Sequence, residues 1–255
     1  MYCPGCGKEL AEGFAGSSCP FCGATLKSGS SIPSGAPLEG IPWERRGELG
    51  FMTALTQNLR ACLFDPSAFY TAMPKRENVG AALAYVVLLG WVGGLGGLLW
   101  DRISQGFWRQ ALQNLGVPAQ ERQLDPAMMA ALSIGFAVLL PLFIAISVFI
   151  ISGIFHVSLW IVGGATHGYE ATLRTHAYAA GSTALFQWIP FCGGLIALIW
   201  SLVLQIYGFS RVHEIPGGKA AIAVFLPVLL CCMLIVACII LFATFFAAMF
   251  QGMSA

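Results

Sequence analysis

The chain has 255 residues, 57% of them hydrophobic and only 10% charged, with a mean hydropathy of +0.76. A soluble domain carries roughly 25% charged residues, so a solvated globule is excluded for most of the chain. A net charge of +1 excludes the basic face that nucleic acid requires. The charges are unevenly placed. Residues 1–78 hold 14 of the 25, seven of each sign, and residues 79–255 hold the other 11. A mixed, polar third therefore precedes a lipid-compatible two-thirds. Residues 1–20 lack the apolar stretch of a cleavable signal peptide.

The chain opens with Cys3-Pro-Gly-Cys6-Gly and, twelve residues later, Cys19-Pro-Phe-Cys22-Gly. Two C-x2-C pairs at this distance match a four-thiolate zinc site. Two residues between cysteines make a tight turn that aims both sulfurs at one ion, and Pro4 and Pro20 stiffen each turn. Cys3, Cys6, Cys19 and Cys22 are thus the expected ligands of a structural Zn2+, since four thiolates leave no open coordination position for catalysis. About 25 residues cannot build an adequate core, so the metal supplies most of the folding free energy. The paired Cys-Pro-x-Cys-Gly knuckles resemble zinc ribbons, over residues 1–27. The other cysteines, Cys62, Cys192, Cys231, Cys232 and Cys238, fall in apolar or amphipathic stretches and read as small hydrophobes.

Residues 28–42 are rich in Ser, Gly and Pro, the composition of a flexible tether. Order resumes at Trp43. Phe51, Leu55, Leu59, Cys62 and Leu63 recur at helical spacing, and Asp65-Pro66 reads as a helix cap followed by proline at the first helical position. Residues 43–78 are too polar to span a bilayer. They are expected as amphipathic helices at its surface, with Trp43 and Tyr70 at headgroup depth, the alternative being soluble helices packed on the membrane domain.

From residue 79 the chain reads as an all-α polytopic helix bundle of about five transmembrane helices: Val79–Trp100, Pro126–Gly163, Thr172–Ile189, Phe191–Phe209 and Lys219–Phe250. The segment 126–163 is long enough to be one helix or two. With one helix and a cytoplasmic N-terminus, ten Lys and Arg lie inside and three outside; with two, the split is seven against six. The positive-inside rule favours five spans, N-terminus in and C-terminus out. Gly90, Gly93, Gly94, Gly96 and Gly97 give the first span small-xxx-small spacing, which predicts a close helix seam within the chain or, alternatively, a homo-oligomer contact.

All four histidines (156, 167, 176 and 213) fall in or near the cytoplasmic half of this arrangement. A histidine–glutamate metal site is conceivable, but polar tips that snorkel to water and bond one another are the simpler expectation. No Asp, Glu, Lys or Arg falls in the middle of an expected span, which argues against an ion pump or proton-coupled carrier. No nucleophile motif, P-loop or HExxH is present, so no catalytic residues and no enzyme are expected.

Several short cues occur in order along residues 41–230: Ile41-Pro42-Trp43-Glu44-Arg45-Arg46; Asp65-Pro66 through Met73; Gly163-Gly164 with Tyr169 through Arg174; Ala177 through Ala180 with Ile189-Pro190; and Trp200 with Gly208, Val212-His213 and Lys219-Ala220. Together they resemble the Yip family of Ypt-interacting, Rab-associated membrane proteins, here with a zinc ribbon in front. The resemblance implies a five-pass bundle with its N-terminus in the cytoplasm, and vesicle-trafficking roles in eukaryotic members. A ribbon in front is more typical of prokaryotic members, which implies a prokaryotic cell membrane. The resemblance supplies no active-site residues. The expected function is a non-enzymatic membrane adaptor whose ribbon contacts a cytoplasmic protein. The alternative is a lipid or small-molecule transporter or scramblase formed by the bundle.

Overall fold

Capping chemistry starts the helices where the sequence signals them. Asp65 accepts a hydrogen bond from the Ala68 amide (3.2 Å) with Pro66 at the first position, and Asp125 accepts one from the Ala127 amide (3.0 Å) ahead of Pro126. The computed structural model describes residues 40–75, 78–116 and 125–253, and among them there is no strand. After a 3-10 turn at Pro42–Arg45 come α1 (Arg46–Leu49), α2 (Phe51–Phe64), α3 (Pro66–Ala72), α4 (Val79–Asn114), α5 (Pro126–Ile161), α6 (Gly168–Ala184), α7 (Gly193–Val212) and α8 (Gly217–Met253). A second 3-10 turn, Leu185–Trp188, follows α6. The four cysteines expected to bind zinc, and the tether as far as residue 39, lie outside the described residues, whereas Ile41 and Pro42, expected as the end of the tether, are built into the bundle.

Residues 126–161 form one helix, not two. Pro141 lies inside it without ending it. What ends it is Gly163, at φ +65°, with the Gly163 amide on Trp160 O and the Gly164 amide on Leu159 O. That is the Schellman pattern, which needs a residue able to adopt the left-handed conformation.

The long helices alternate in direction. Gly90 of α4 faces Ile144 of α5 and Gly94 faces Leu140, so those two are antiparallel. Gly181 of α6 faces Tyr85 and Ala184 faces Gly93, so α6 runs parallel to α4. His176 meets Gln205, and Phe186 meets Gly193, so α7 returns antiparallel to α6. A tight turn then reverses the chain into α8, whose Ala220, Ala223 and Val224 pack on Phe155, Leu159 and Phe209.

Among the described residues, four helices are long and apolar enough to cross a membrane: Val79–Asn114, Ala127–Ile161, Gly193–Val212 and Gly217–Phe246. The fifth expected span, Thr172–Ile189, differs. Its helix α6 has 17 residues, and nearly all of them from Ala171 onward are buried, including Thr172, Arg174, Thr175, His176, Ser182 and Thr183. Packed against α2, α4, α5 and α7, it is surrounded by protein rather than lipid. An enclosed helix needs no apolar surface, and polar groups inside a bundle face its interior. The opposite holds for α8, where Val228, Leu229, Met233, Leu234, Ile239 and Phe242 are all exposed, as a lipid-facing helix requires.

The glycines of α4 serve a seam within the chain. Gly90 and Gly94 lie against α5, while Gly93, Gly96 and Gly97 lie against Ala184, Trp188 and Gln187. The N-terminal helices also depart from expectation. Trp43 (2% exposed) and Tyr70 (1%) are not at a surface but in the main core, with Tyr85 and Tyr178. Their rings meet edge-on or tilted: Trp43–Tyr85 centroids are 5.5 Å apart and Tyr85–Tyr178 5.2 Å. The buried residues of α2 are Ala54, Asn58 and Cys62; Cys62 belongs to the apolar stripe that the sequence suggests, and Leu55, Leu59 and Leu63 of that stripe are partly buried against the core.

Candidate functional site at the polar end of the bundle

The N-terminal helices, the start of α6, the end of α5 and the α7–α8 turn converge at one end of the bundle. The chain enters there as a plug. Ile41 and Trp43 are buried. The Trp43 amide donates to Asn58 Oδ1 (3.3 Å), and its indole N–H donates to Ala81 O (2.8 Å). The guanidinium of Arg46 lies 5.1 Å from the Trp43 ring centroid and covers it from outside.

Glu44, the next residue, points inward. It accepts hydrogen bonds from the Arg174 guanidinium and from the Tyr178 hydroxyl (3.0 Å). Arg174 is fully buried, and its other terminal nitrogen donates to Pro74 O. One arginine on the central helix therefore holds two segments far away in sequence: the entry plug and the turn after α3. Arg174 Nε and Asn58 Nδ2 have no partner in this network. Beside it, Tyr70 donates to Thr175 O (3.4 Å), and the Cys62 thiol lies near Tyr178 O (3.7 Å). Burial pushes that thiol up to about 11, which makes Cys62 a packed apolar group and not a nucleophile. At the rim, Lys75 pairs with Glu214, and this cation holds the Glu214 carboxyl below its usual range.

Three histidines join through threonine hydroxyls. His213 Nδ1 accepts from the His167 amide (3.3 Å), so its proton resides on Nε2, which donates to Thr172 Oγ1 (3.0 Å). The Thr172 hydroxyl is then free to donate to His156 Nδ1 (2.9 Å). Thr166 donates to His213 O and accepts from His167 Nδ1 (2.9 Å). Burial first, then the neighbouring His156 and His167, push the His213 imidazole down to about 4, so it is neutral near pH 7. Among the described residues no cluster of three or more His, Cys, Asp or Glu side chains is arranged to hold a metal. These histidines bond one another's neighbours as expected, but His176 and His213 are buried rather than snorkelling.

The arrangement fixes position. Arg174 and Tyr178 of α6 hold the Glu44 carboxylate, and so tie the chain's entry point to the innermost helix, while the histidine–threonine chain links the end of α5, the start of α6 and the turn after α7. Sequence reasoning did not find the Glu44–Arg174 pair. The usable signal was Arg174 itself, the one Lys, Arg, Asp or Glu within the expected span Thr172–Ile189, which demands a partner. Nothing in the local pattern says that the partner lies 130 residues earlier.

A family model described as the Yip1 domain matches residues 60–253. No curated protein and no solved structure matches the chain.

Proposed function

The chain belongs to the Yip1 domain family, and on that premise we propose that this integral membrane protein is a non-enzymatic adaptor. In this reading residues 1–27 fold around Zn2+ held by Cys3, Cys6, Cys19 and Cys22. They contact a cytoplasmic protein, and the membrane bundle fixes that protein at the bilayer. The observation that carries it is the plug: residues 41–44, where the tether ends, are locked into the bundle by Trp43 and by the Glu44–Arg174 pair. A load on a tether is transmitted only if its root is rigid, and a buried charge pair with its hydrogen bonds is far stiffer than an exposed loop. The charge asymmetry of the sequence supports an N-terminus in the cytoplasm.

The test is co-purification from native membranes with the intact protein and with Cys19→Ser/Cys22→Ser, at matched membrane levels. The expected result is loss of a discrete set of cytoplasmic proteins, with the bundle still inserted. An unchanged set overturns the adaptor reading and shifts attention to lipid or small-molecule transfer by the bundle, where the buried polar side chains of α6 would line the route.

A further inference from the structure

At the end of the bundle opposite the plug, α4 meets the 3-10 turn Leu185–Trp188 and the start of α7 around a cavity of about 480 Å³. That volume falls within the range of small-molecule sites, roughly 300–1,000 Å³. Its lining includes Trp100, Asp101, Ser104, Trp108, Gln187 and Phe191. Three aromatic residues and one carboxylate at one cavity are the chemistry that recognises an organic cation.

Part of this wall is preorganised. The Trp100 indole donates to Trp188 O (2.8 Å), and the Trp188 indole donates to Val92 O (3.0 Å). The Trp188 ring lies so close to Gly96 that a Cβ there would come within 2.8 Å of it. The Asp101 carboxylate takes one hydrogen bond, from Gln105 Nε2 to Oδ2 (2.7 Å). Among the described residues it forms no ion pair, and Oδ1 is left for a ligand.

Depth narrows the ligand. Trp100 lies 21 residues along α4 from Val79. At 1.5 Å per residue that is about 32 Å, close to the ~30 Å hydrocarbon thickness. The cavity therefore opens where headgroups lie. Anionic headgroups are disfavoured by the carboxylate. Ethanolamine and choline headgroups carry the matching ammonium.

We propose that this cavity binds an alkylammonium group, presented at this depth by an ethanolamine or choline phospholipid, with Asp101 as its counter-charge and Trp100, Trp108 and Phe191 as its aromatic wall. This site is independent of the ribbon and of the adaptor reading.

The test uses the full chain, equilibrated in mixed micelles with equal phosphatidylethanolamine and phosphatidylglycerol, and native mass spectrometry of retained lipid. The intact protein should retain phosphatidylethanolamine several-fold over phosphatidylglycerol. Asp101→Asn, nearly isosteric and on an exposed stretch, should abolish the preference without changing thermal unfolding. Trp108→Ala should weaken it as well. Choline chloride binding to delipidated protein, lost in Asp101→Asn, with no lipid preference would assign the same chemistry to a soluble amine. Equal retention of both lipids with no choline binding overturns the proposal. So does a preference that survives Asp101→Asn.

Discussion

At the scale of single residues, the Glu44–Arg174 pair sets the strongest expectation. Both side chains are withdrawn from water, at 0% exposure for Arg174 and 4% for Glu44. The desolvation cost of burying two charges offsets much of their attraction, but removing one partner leaves the other charged and stranded. Arg174→Met should therefore destabilise the protein by roughly 3–5 kcal/mol, and Glu44→Gln should have a smaller effect of the same sign. The double variant Glu44→Gln/Arg174→Met should recover most of the loss, because no unpaired charge remains. The exposed Arg45–Glu48 pair is the control, and Arg45→Ala should change stability by less than about 1 kcal/mol. Thermal unfolding in detergent measures all four. If Arg174→Met unfolds with the intact protein, the plug is not anchored by this arginine, and the rigid root of the tether is lost with it.

Among elements, the α4 seam separates two kinds of glycine. A Cβ on Gly93 would lie 2.2 Å from Ala184 O, a backbone atom that cannot rotate away, whereas a Cβ on Gly80 meets nothing within 4 Å. Gly93→Ala should cost about 1–3 kcal/mol by forcing α4 and α6 apart, while Gly80→Ala should be neutral or stabilise by up to about 1 kcal/mol through helix propensity. Melting temperatures of the two variants decide it, and equal values would mean that the seam is loose. That seam was legible in the sequence because small-xxx-small spacing is a geometric signal. Its partners were not, since spacing on one helix says nothing about which helix faces it. The character of α6 was legible only as weakness: Arg174 and His176 made 172–189 a poor span. Hydropathy measures affinity for lipid, and α6 is surrounded by helices, so the scale had nothing to report. Trp43 and Tyr70 misled for a related reason. An amphipathic pattern shows that one face is covered, not whether lipid or protein covers it. The zinc ligands stand on spacing alone.

For the whole molecule, the question is whether α6 crosses the bilayer with its neighbours. By length and apolarity four helices among the described residues qualify and α6 does not. Two contacts nevertheless fix its depth. Lys75, just before α4, pairs with Glu214, just after α7, so the start of α4 and the end of α7 lie at the same end of the bundle. Trp188, just after α6, bonds α4 at Val92 and receives the Trp100 indole, so the exit of α6 lies at the other end. The chain must therefore pass from one end to the other within residues 168–188, and α6 with its 3-10 turn is the segment that does so. On the topology proposed here, five alternating passes put the two termini on opposite sides of the membrane, and the ten-to-three excess of Lys and Arg in the sequence favours a cytoplasmic N-terminal side. Reporter fusions ahead of Met1 and after Ala255 should therefore report opposite compartments, and a tag placed within residues 117–124 should share the compartment of the C-terminus. Both terminal reporters in the cytoplasm would mean that α6 re-enters on the side it came from, and the Lys75–Glu214 pair could then not form.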